Sequence, residues 1–216
     1  MSKELQHWVS LWANQNDYKI SQEQFIQLSN YEKLLTKWNQ TINLTALTSS
    51  KQIQLYHFVD SLELLLEIKR QEHLLDKNQP ISLLDIGSGA GFPGMICAVF
   101  EKQWNFTLVE RVYKKSAFLQ TVKRSLGLDV RILSEDIRKI NELHQIVVSR
   151  AAFPPNDWLT LASHHVTQGG LIFAMLSEKQ TDVIHPTGLS LVSKYTYSIE
   201  SNKRYILTWQ KKAQIN

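Results

Sequence analysis

The residues best suited to chemistry are a glycine cluster and a set of acids. Gly87, Gly89, Gly91 and Gly94 fall in one short stretch, Asp85 stands just ahead of them, and Glu110, Glu135, Asp136 and then Arg150 follow. Glycines in such a run permit a turn whose backbone approaches a bound ligand where any Cβ would collide. Gly89, Gly91 and Gly94 satisfy the spacing G-x-G-x-x-G, which elsewhere cradles a pyrophosphate on a helix N-terminus. Two features weaken a dinucleotide reading: an anionic phosphate gains nothing from a carboxylate at Asp85, and Pro93 deletes an amide from the helix end that should hold the anion. S-adenosylmethionine reverses this logic. Its ammonium and its sulfonium are cationic, so an acid nearby is favourable. A third reading needs no ligand, with Asp85 tying down the loop through backbone amides. The turn by itself does not choose among the three.

The elements that must position these residues alternate. Ile81 to Ile86 is an apolar run that breaks at the glycines, and Pro93 is placed to open a helix through Met95, Ile96, Ala98 and Val99. Further strands are expected at Asn105 to Glu110, Val130 to Leu133, Gln145 to Ser149 and Leu171 to Leu176, with helices at Lys114 to Leu126 and Asp157 to Val166. That alternation means a parallel sheet with right-handed crossovers and helices on both faces. Leu189 to Ile199 and Lys203 to Gln210 are β-rich and joined by Glu200-Ser201-Asn202, so the sheet is expected to end in an antiparallel hairpin. Ahead of the sheet, Leu5 to about Ile42 reads as helix, with a capping box at Ser21 and Gln24 and an apolar stripe through Phe25, Leu28, Tyr31, Leu34, Leu35 and Trp38. Trp38 to Ala46 reads as an ordered loop rich in side-chain amides and hydroxyls. A helix from about Ile53 to Ile68 carries His57, Asp60 and Ser61. Those three do not form a nucleophilic triad, because neighbours on one helix project outward in parallel whereas a triad needs converging side chains. They are read as anchors of the helix.

In an open α/β sheet, ligands lie at the carboxyl ends of the strands. Asp85, Glu110 and the pair Glu135-Asp136 all fall there. Glu110 follows the glycines by about the interval expected of an acid that binds ribose hydroxyls, and the competing reading pairs it with Arg111 or Lys114. Asp136 is suited to the exocyclic amine of an adenine with Ile137 covering the base, or equally to a helix N-cap. Acids at successive strand ends suit an adenosyl group with free hydroxyls and no phosphate. Arg150 closes the fourth strand, where an arginine is costly unless paired or bound to a ligand.

The chain has 216 residues, 43% hydrophobic and 20% charged, enough for one α/β domain plus an appendage. No stretch approaches the roughly eighteen uninterrupted apolar residues of a membrane helix, and the start lacks the pattern of a signal peptide. The single Cys97 excludes an internal disulfide and a thiolate zinc cluster within the chain. A formal charge of +4 suits a polyanionic partner without establishing one. Lys114, Lys115, Lys123, Arg124, Arg138, Lys139, Lys203 and Arg204 are spread over the α/β half and read equally well as a solvated face.

Five short motifs in register carry a resemblance. Lys37-Trp38-Asn39 with Asn43-Leu44-Thr45, His57-Phe58-Val59-Asp60-Ser61, the run from Asp85 to Gly94, and Ser149-Arg150-Ala151 together resemble the RsmG family, also called GidB (glucose-inhibited division protein B), with a weaker echo in Lys203-Arg204-Tyr205. The resemblance implies a class I methyltransferase (Rossmann-like) α/β sheet over 76–216, preceded by an N-terminal helical extension over 1–75. It implies transfer of a methyl group from S-adenosyl-L-methionine to N7 of one guanine in small-subunit (16S) ribosomal RNA, in the cytoplasm. The substrate is then naked RNA or the ribosomal subunit, with no membrane and no metal, and a monomer is expected. Asp85, Gly87, Gly89, Phe92, Glu110, Asp136, Ile137 and Arg150 are the implied cofactor contacts, with Arg150 also catalytic. Because an N7-methylated guanine is positively charged, an acid such as Asp60 near it would help.

The chain departs from the family in three places. Glu135-Asp136-Ile137-Arg138 stands where Arg-Ala-Glu is usual, Leu176-Ser177 stands where the fifth strand usually ends in Lys-Gly (Lys179 follows), and Ala152-Phe153-Pro154-Pro155 follows Arg150-Ala151. A degenerate relative that binds RNA or the cofactor without turnover is the second reading, and a dinucleotide-dependent oxidoreductase the third.

Overall fold

The computed structural model describes residues 3–150, 155–178 and 187–212. Ala151 to Pro154 and Lys179, singled out above, lie outside the described residues. Among these the sheet has the order β3-β2-β1-β4-β5-β7-β6. The strands are β1 Ser82–Ile86, β2 Asn105–Val109, β3 Val130–Leu133, β4 His144–Arg150, β5 Val166–Ser177, β6 Leu189–Ile199 and β7 Asn202–Lys211. β1 to β5 run parallel, and β7 runs antiparallel between β5 and β6. Because β1 leads outward to β2 while β4 lies on its other side, the strand order reverses between β1 and β4. A crevice opens beyond their carboxyl ends, at the glycine turn and Arg150.

Side-chain alternation along the strands sorts residues onto two faces. Leu83, Phe106, Ile146 and Phe173 face one core with the helices α1 Lys3–Gln15, α2 Gln22–Ile42, α4 Asp60–Gln71, α5 Gly94–Phe100 and α6 Tyr113–Leu126. Leu84, Val147, Ile172 and Trp209 face the other with α7 Pro155–Ser163. The helices ahead of β1 therefore share one core with the sheet. Leu28, Tyr31 and Leu35 on α2 are fully buried, each leucine contributing about 1.5–3 kcal/mol by leaving water. Gln27 adds a side-chain donation to the Leu126 carbonyl at 2.8 Å. No helix of the described residues is long and apolar enough to cross a membrane.

Several elements differ from their expected extents. The capping box forms as expected, with Ser21 and Gln24 bonded reciprocally. The polar stretch from Trp38, however, stays helical to Ile42 and turns only at Asn43, in the left-handed region at φ +46°. The amides and hydroxyls that suggested a loop act through side chains: Asn39 accepts from the Thr45 amide and donates to the Thr45 carbonyl, both at 2.9 Å, while its own backbone remains in the helix. The helix expected from Ile53 begins at α3 Ser50–Ile53 and reaches α4 through a π-helical segment, Gln54–Val59. Beyond α7, Val166 already belongs to β5. Gly169 and Gly170 form a bulge against β4, with the register shifting between His144 and Ile146, and the strand expected from Leu171 starts ahead of them.

Candidate active site

The turn after β1 is shaped by close approaches. A Cβ at Gly91, whose φ is +93°, would stand 2.2 Å from the Tyr31 hydroxyl, and one at Gly94 would stand 2.7 Å from Asp85 Oδ2. Only glycine fits either place. Tyr31 donates its hydroxyl to the Ala90 carbonyl at 2.6 Å and stacks on Phe92 with ring centroids 5.1 Å apart, so α2 roofs the turn.

Beside the turn is a cavity of about 600 Å³, walled by Gly87, Gly89 and Phe92 from the turn, Glu110 to Val112 after β2, Glu135 to Arg138 after β3, and Arg150 at the end of β4. A further part of the wall, not assigned to the site from the sequence, comes from Leu44 and Thr45 in the connection after α2 and from His57 in the π-helical segment. The signals available were that Asn43-Leu44-Thr45 breaks the helical period with polar side chains and that this stretch and the one beginning at His57 are among the motifs of the family resemblance.

Asp85 was expected among the cofactor contacts, and it does not line the cavity. It is fully buried behind the turn, and its Oδ2 accepts from the Gly94 amide at 2.9 Å. Successive strand residues point to opposite faces, so Ile86 lines the cavity while Asp85 faces the start of α5. Burial pushes its carboxyl up to about 7, against the opposing pull of the Gly94 amide. The loop-anchoring reading is the one the geometry follows.

Glu110 does line the cavity. Its partners are neither Arg111 nor Lys114 but backbone amides: Gly89 N–H donates to Oε2 at 2.9 Å and Val112 N–H to Oε1 at 2.8 Å. Asp136 combines both expected places. It caps the short 3₁₀ turn Ile137–Lys139 through the Arg138 amide, and it stands in the cavity wall beside Ile137, which is buried. Hydrogen bonds from the Arg138 side chain and backbone hold its carboxyl well below the usual range.

Arg150 reaches from β4 to the π-helical segment. Nη1 donates to the Tyr56 carbonyl at 2.6 Å and to Asp60 Oδ2 at 3.2 Å, and Nη2 lies 2.8 Å from His57 Nδ1. The guanidinium also sits 5.5 Å from the Phe92 ring centroid. Asp60 lies behind it, fully buried, and accepts in addition from Arg204 at 2.9 and 3.0 Å and from the Tyr197 hydroxyl at 2.6 Å. Asp60 is therefore absent from the cavity wall, and the expectation that it faces a charged guanine is corrected: its carboxylate is spent on the two arginines. Ser61 donates to the His57 carbonyl of its own helix at 2.6 Å, which excludes it as a nucleophile activated by that histidine. Leu176 and Ser177, the departures at the end of β5, do not touch the cavity.

Known proteins share both the sequence and the architecture. Residues 24–205 match the family described as GidB, rRNA small subunit methyltransferase G. The Ribosomal RNA small subunit methyltransferase G of Burkholderia ambifaria (strain MC40-6) is 35% identical over 176 residues, 78% of this chain and 74% of that protein. That of Bordetella avium (strain 197N) is 34% identical over 155 residues, covering 71% and 68%. In fold, the chain is similar to the magnesium protoporphyrin IX methyltransferase of Synechocystis PCC 6803 with bound SAM, at a TM-score of 0.59 and 11% identity over 84% of this chain and 97% of that one. It is also similar to the putative methyltransferase yhhF of Escherichia coli, at a TM-score of 0.56 and 17% identity over 72% and 87%. With the matched span taking in the glycine turn, the strand-end acids and Arg150, this chain belongs to the rRNA small subunit methyltransferase G (GidB) family.

Proposed function

We propose that the cavity binds S-adenosyl-L-methionine and that the chain methylates N7 of a guanine in small-subunit ribosomal RNA. One observation carries the choice of cofactor. The amides of Gly87, Ser88, Gly89, Gly91, Phe92 and Gly94 are all donated within the protein, and Pro93 has none. Among the described residues only the Ala90 amide of the turn is left, so a pyrophosphate would find most of its usual donors taken, whereas carboxylates at the ends of β2 and β3 suit a nucleoside with free hydroxyls and an amine. Glu110 would hold the ribose, Asp136 and Ile137 the adenine, and the backbone of Gly87 and Gly89 would pass close beneath.

When bound, this cofactor supplies an electrophilic methyl on a cationic sulfur. Guanine N7 has a lone pair and no proton, so the protein needs no general base, and the cavity offers none at its Arg150 end. His57 there stays neutral but is a weak base, held well below its ordinary value by burial and by the Arg150 charge, and both its ring nitrogens are engaged, Nδ1 by Arg150 and Nε2 by Thr45. The work of the side chains is alignment, with the acceptor held in line at about 3–3.5 Å. Arg150, engaged by Tyr56, His57 and Asp60, acts by positioning those groups.

At the mouth, Arg111, Val112, Tyr113 and Lys114 are exposed, Tyr113 to 78%. An aromatic face among basic side chains suits a stacked base with flanking phosphates. The test is transfer of labelled methyl to naked small-subunit RNA and to assembled subunits, followed by mapping of the modified base. A product modified elsewhere than guanine N7 refutes the reading. S-adenosylhomocysteine should raise the melting temperature and NAD should not.

A further inference from the structure

Thr45 stands at the end of the cavity nearest Arg150, and its surroundings dictate the direction of its hydroxyl. Thr45 Oγ1 accepts from the Leu47 amide at 3.1 Å and lies 2.9 Å from His57 Nε2. The other ring nitrogen, Nδ1, faces Arg150 Nη2 at 2.8 Å. A guanidinium has donors only, so Nδ1 must accept and carries no proton. The neutral ring then keeps its single N–H at Nε2. Stacking on Phe92, at 4.3 Å between centroids and 3° between planes, fixes the plane in which that N–H points. Nε2–H therefore donates to Thr45 Oγ1. With two donors on its two lone pairs, the hydroxyl has only its hydrogen left to offer, and among the described residues no protein acceptor takes it.

We propose that the Thr45 hydroxyl is a hydrogen-bond donor to the target base, held in that role by the succession Arg150–His57–Thr45, and that it selects guanine through the O6 carbonyl. The assignment rests on the guanine-N7 reading above. On guanine, N7 and O6 are adjacent acceptors on one edge, whereas adenine places an amino donor where O6 would be. A donor fixed at this point holds the guanine edge toward the methyl and meets adenine donor to donor. A hydroxyl suits the task because N7 becomes positive as the methyl arrives. It fixes the base without adding a full charge, while Arg150 shares the Asp60 carboxylate with Arg204.

Two measurements test this. The first is ¹⁵N NMR of His57 in the wild-type protein, which needs no substitution: the expected state is Nε2–H with Nδ1 unprotonated, and an Nδ1–H tautomer or an imidazolium at neutral pH overturns the relay. The second compares Thr45→Val and Thr45→Ser in methyl transfer to RNA carrying guanine, or 2-aminopurine, which lacks O6, at the target position. Thr45→Val should lower kcat/KM on guanine RNA by at least about fivefold, leave S-adenosylhomocysteine affinity within about twofold, and lose nothing further on 2-aminopurine RNA. Thr45→Ser should stay close to wild type. A loss falling on S-adenosylhomocysteine binding instead, or an equal Thr45→Val loss on both RNAs, overturns the assignment to O6. Wild-type transfer with an unaffected Thr45→Val sinks the assignment alone, whereas no wild-type transfer to guanine N7 sinks the functional reading and this one with it.

Discussion

Asp60→Asn is the perturbation whose cost follows most directly from the geometry. One fully buried carboxylate serves two arginines, Arg150 at 3.2 Å and Arg204 at 2.9 and 3.0 Å, and also accepts from Tyr197. Asparagine keeps the shape and the acceptor for Tyr197 but leaves two guanidiniums facing each other without an anion. Breaking a buried ion pair costs about 3–5 kcal/mol. Here the arginine side chains retain 18% and 25% of their exposure, so water recovers part of that, and about 2–4 kcal/mol is expected. Arg204→Gln should cost less, because it leaves one cation on one anion. The double variant should cost less than the sum of the two, since with Arg204 gone the asparagine strands only one charge. Urea denaturation at neutral pH measures all three. A loss below about 1 kcal/mol for Asp60→Asn, or strict additivity in the double variant, would show that the arginines are satisfied by water and that Asp60 does not organise this end of the site.

Other consequences are open to measurement. Asp85 has a carboxyl near 7 when folded and an ordinary value of 3.8 when unfolded; between those values the folded state holds a proton that the unfolded state has released, so stability falls as the pH rises through the window. Asp85→Asn should therefore gain on wild type between about pH 4 and about pH 8, by at most about 4 kcal/mol at roughly 1.36 kcal/mol per unit, and a difference that stays flat with pH refutes the assignment. Tyr113→Ala should weaken RNA binding by about 1–3 kcal/mol with S-adenosylhomocysteine affinity unchanged, while Tyr113→Phe should retain it; equal RNA affinity for all three removes the stacking face. Arg150→Ala is expected to abolish methyl transfer, and turnover retained in that variant would take the arginine out of the site.

The parts of the site that were legible in the sequence depend on local constraints. The glycine turn declares itself because only glycine tolerates those approaches, and Glu110 and Asp136 because they follow apolar runs that can only be strands. Asp85 was misplaced for a reason equally local: in a strand, one residue of offset decides whether a side chain faces the crevice or the helix behind it. The π-helical segment could not be read, since Gln54 to Val59 has the apolar pattern of an ordinary helix. The pairing of Asp60 with Arg204 joins residues 144 positions apart, and nothing in either neighbourhood announces the other. Thr45 stands in a motif of the family resemblance, but its place at the cavity depends on Asn39 folding the chain back upon it, which spacing does not specify.

The hydroxyl of Tyr31 resting on the carbonyl of Ala90 carries a practical consequence. The floor and the ceiling of the site come from segments 59 residues apart, so the helices ahead of β1 are not a handle that can be trimmed or traded freely. Exchanging that segment with a relative's would demand that Gly91, which gives way to the tyrosine's oxygen, and Phe92, on which its ring lies, travel with it.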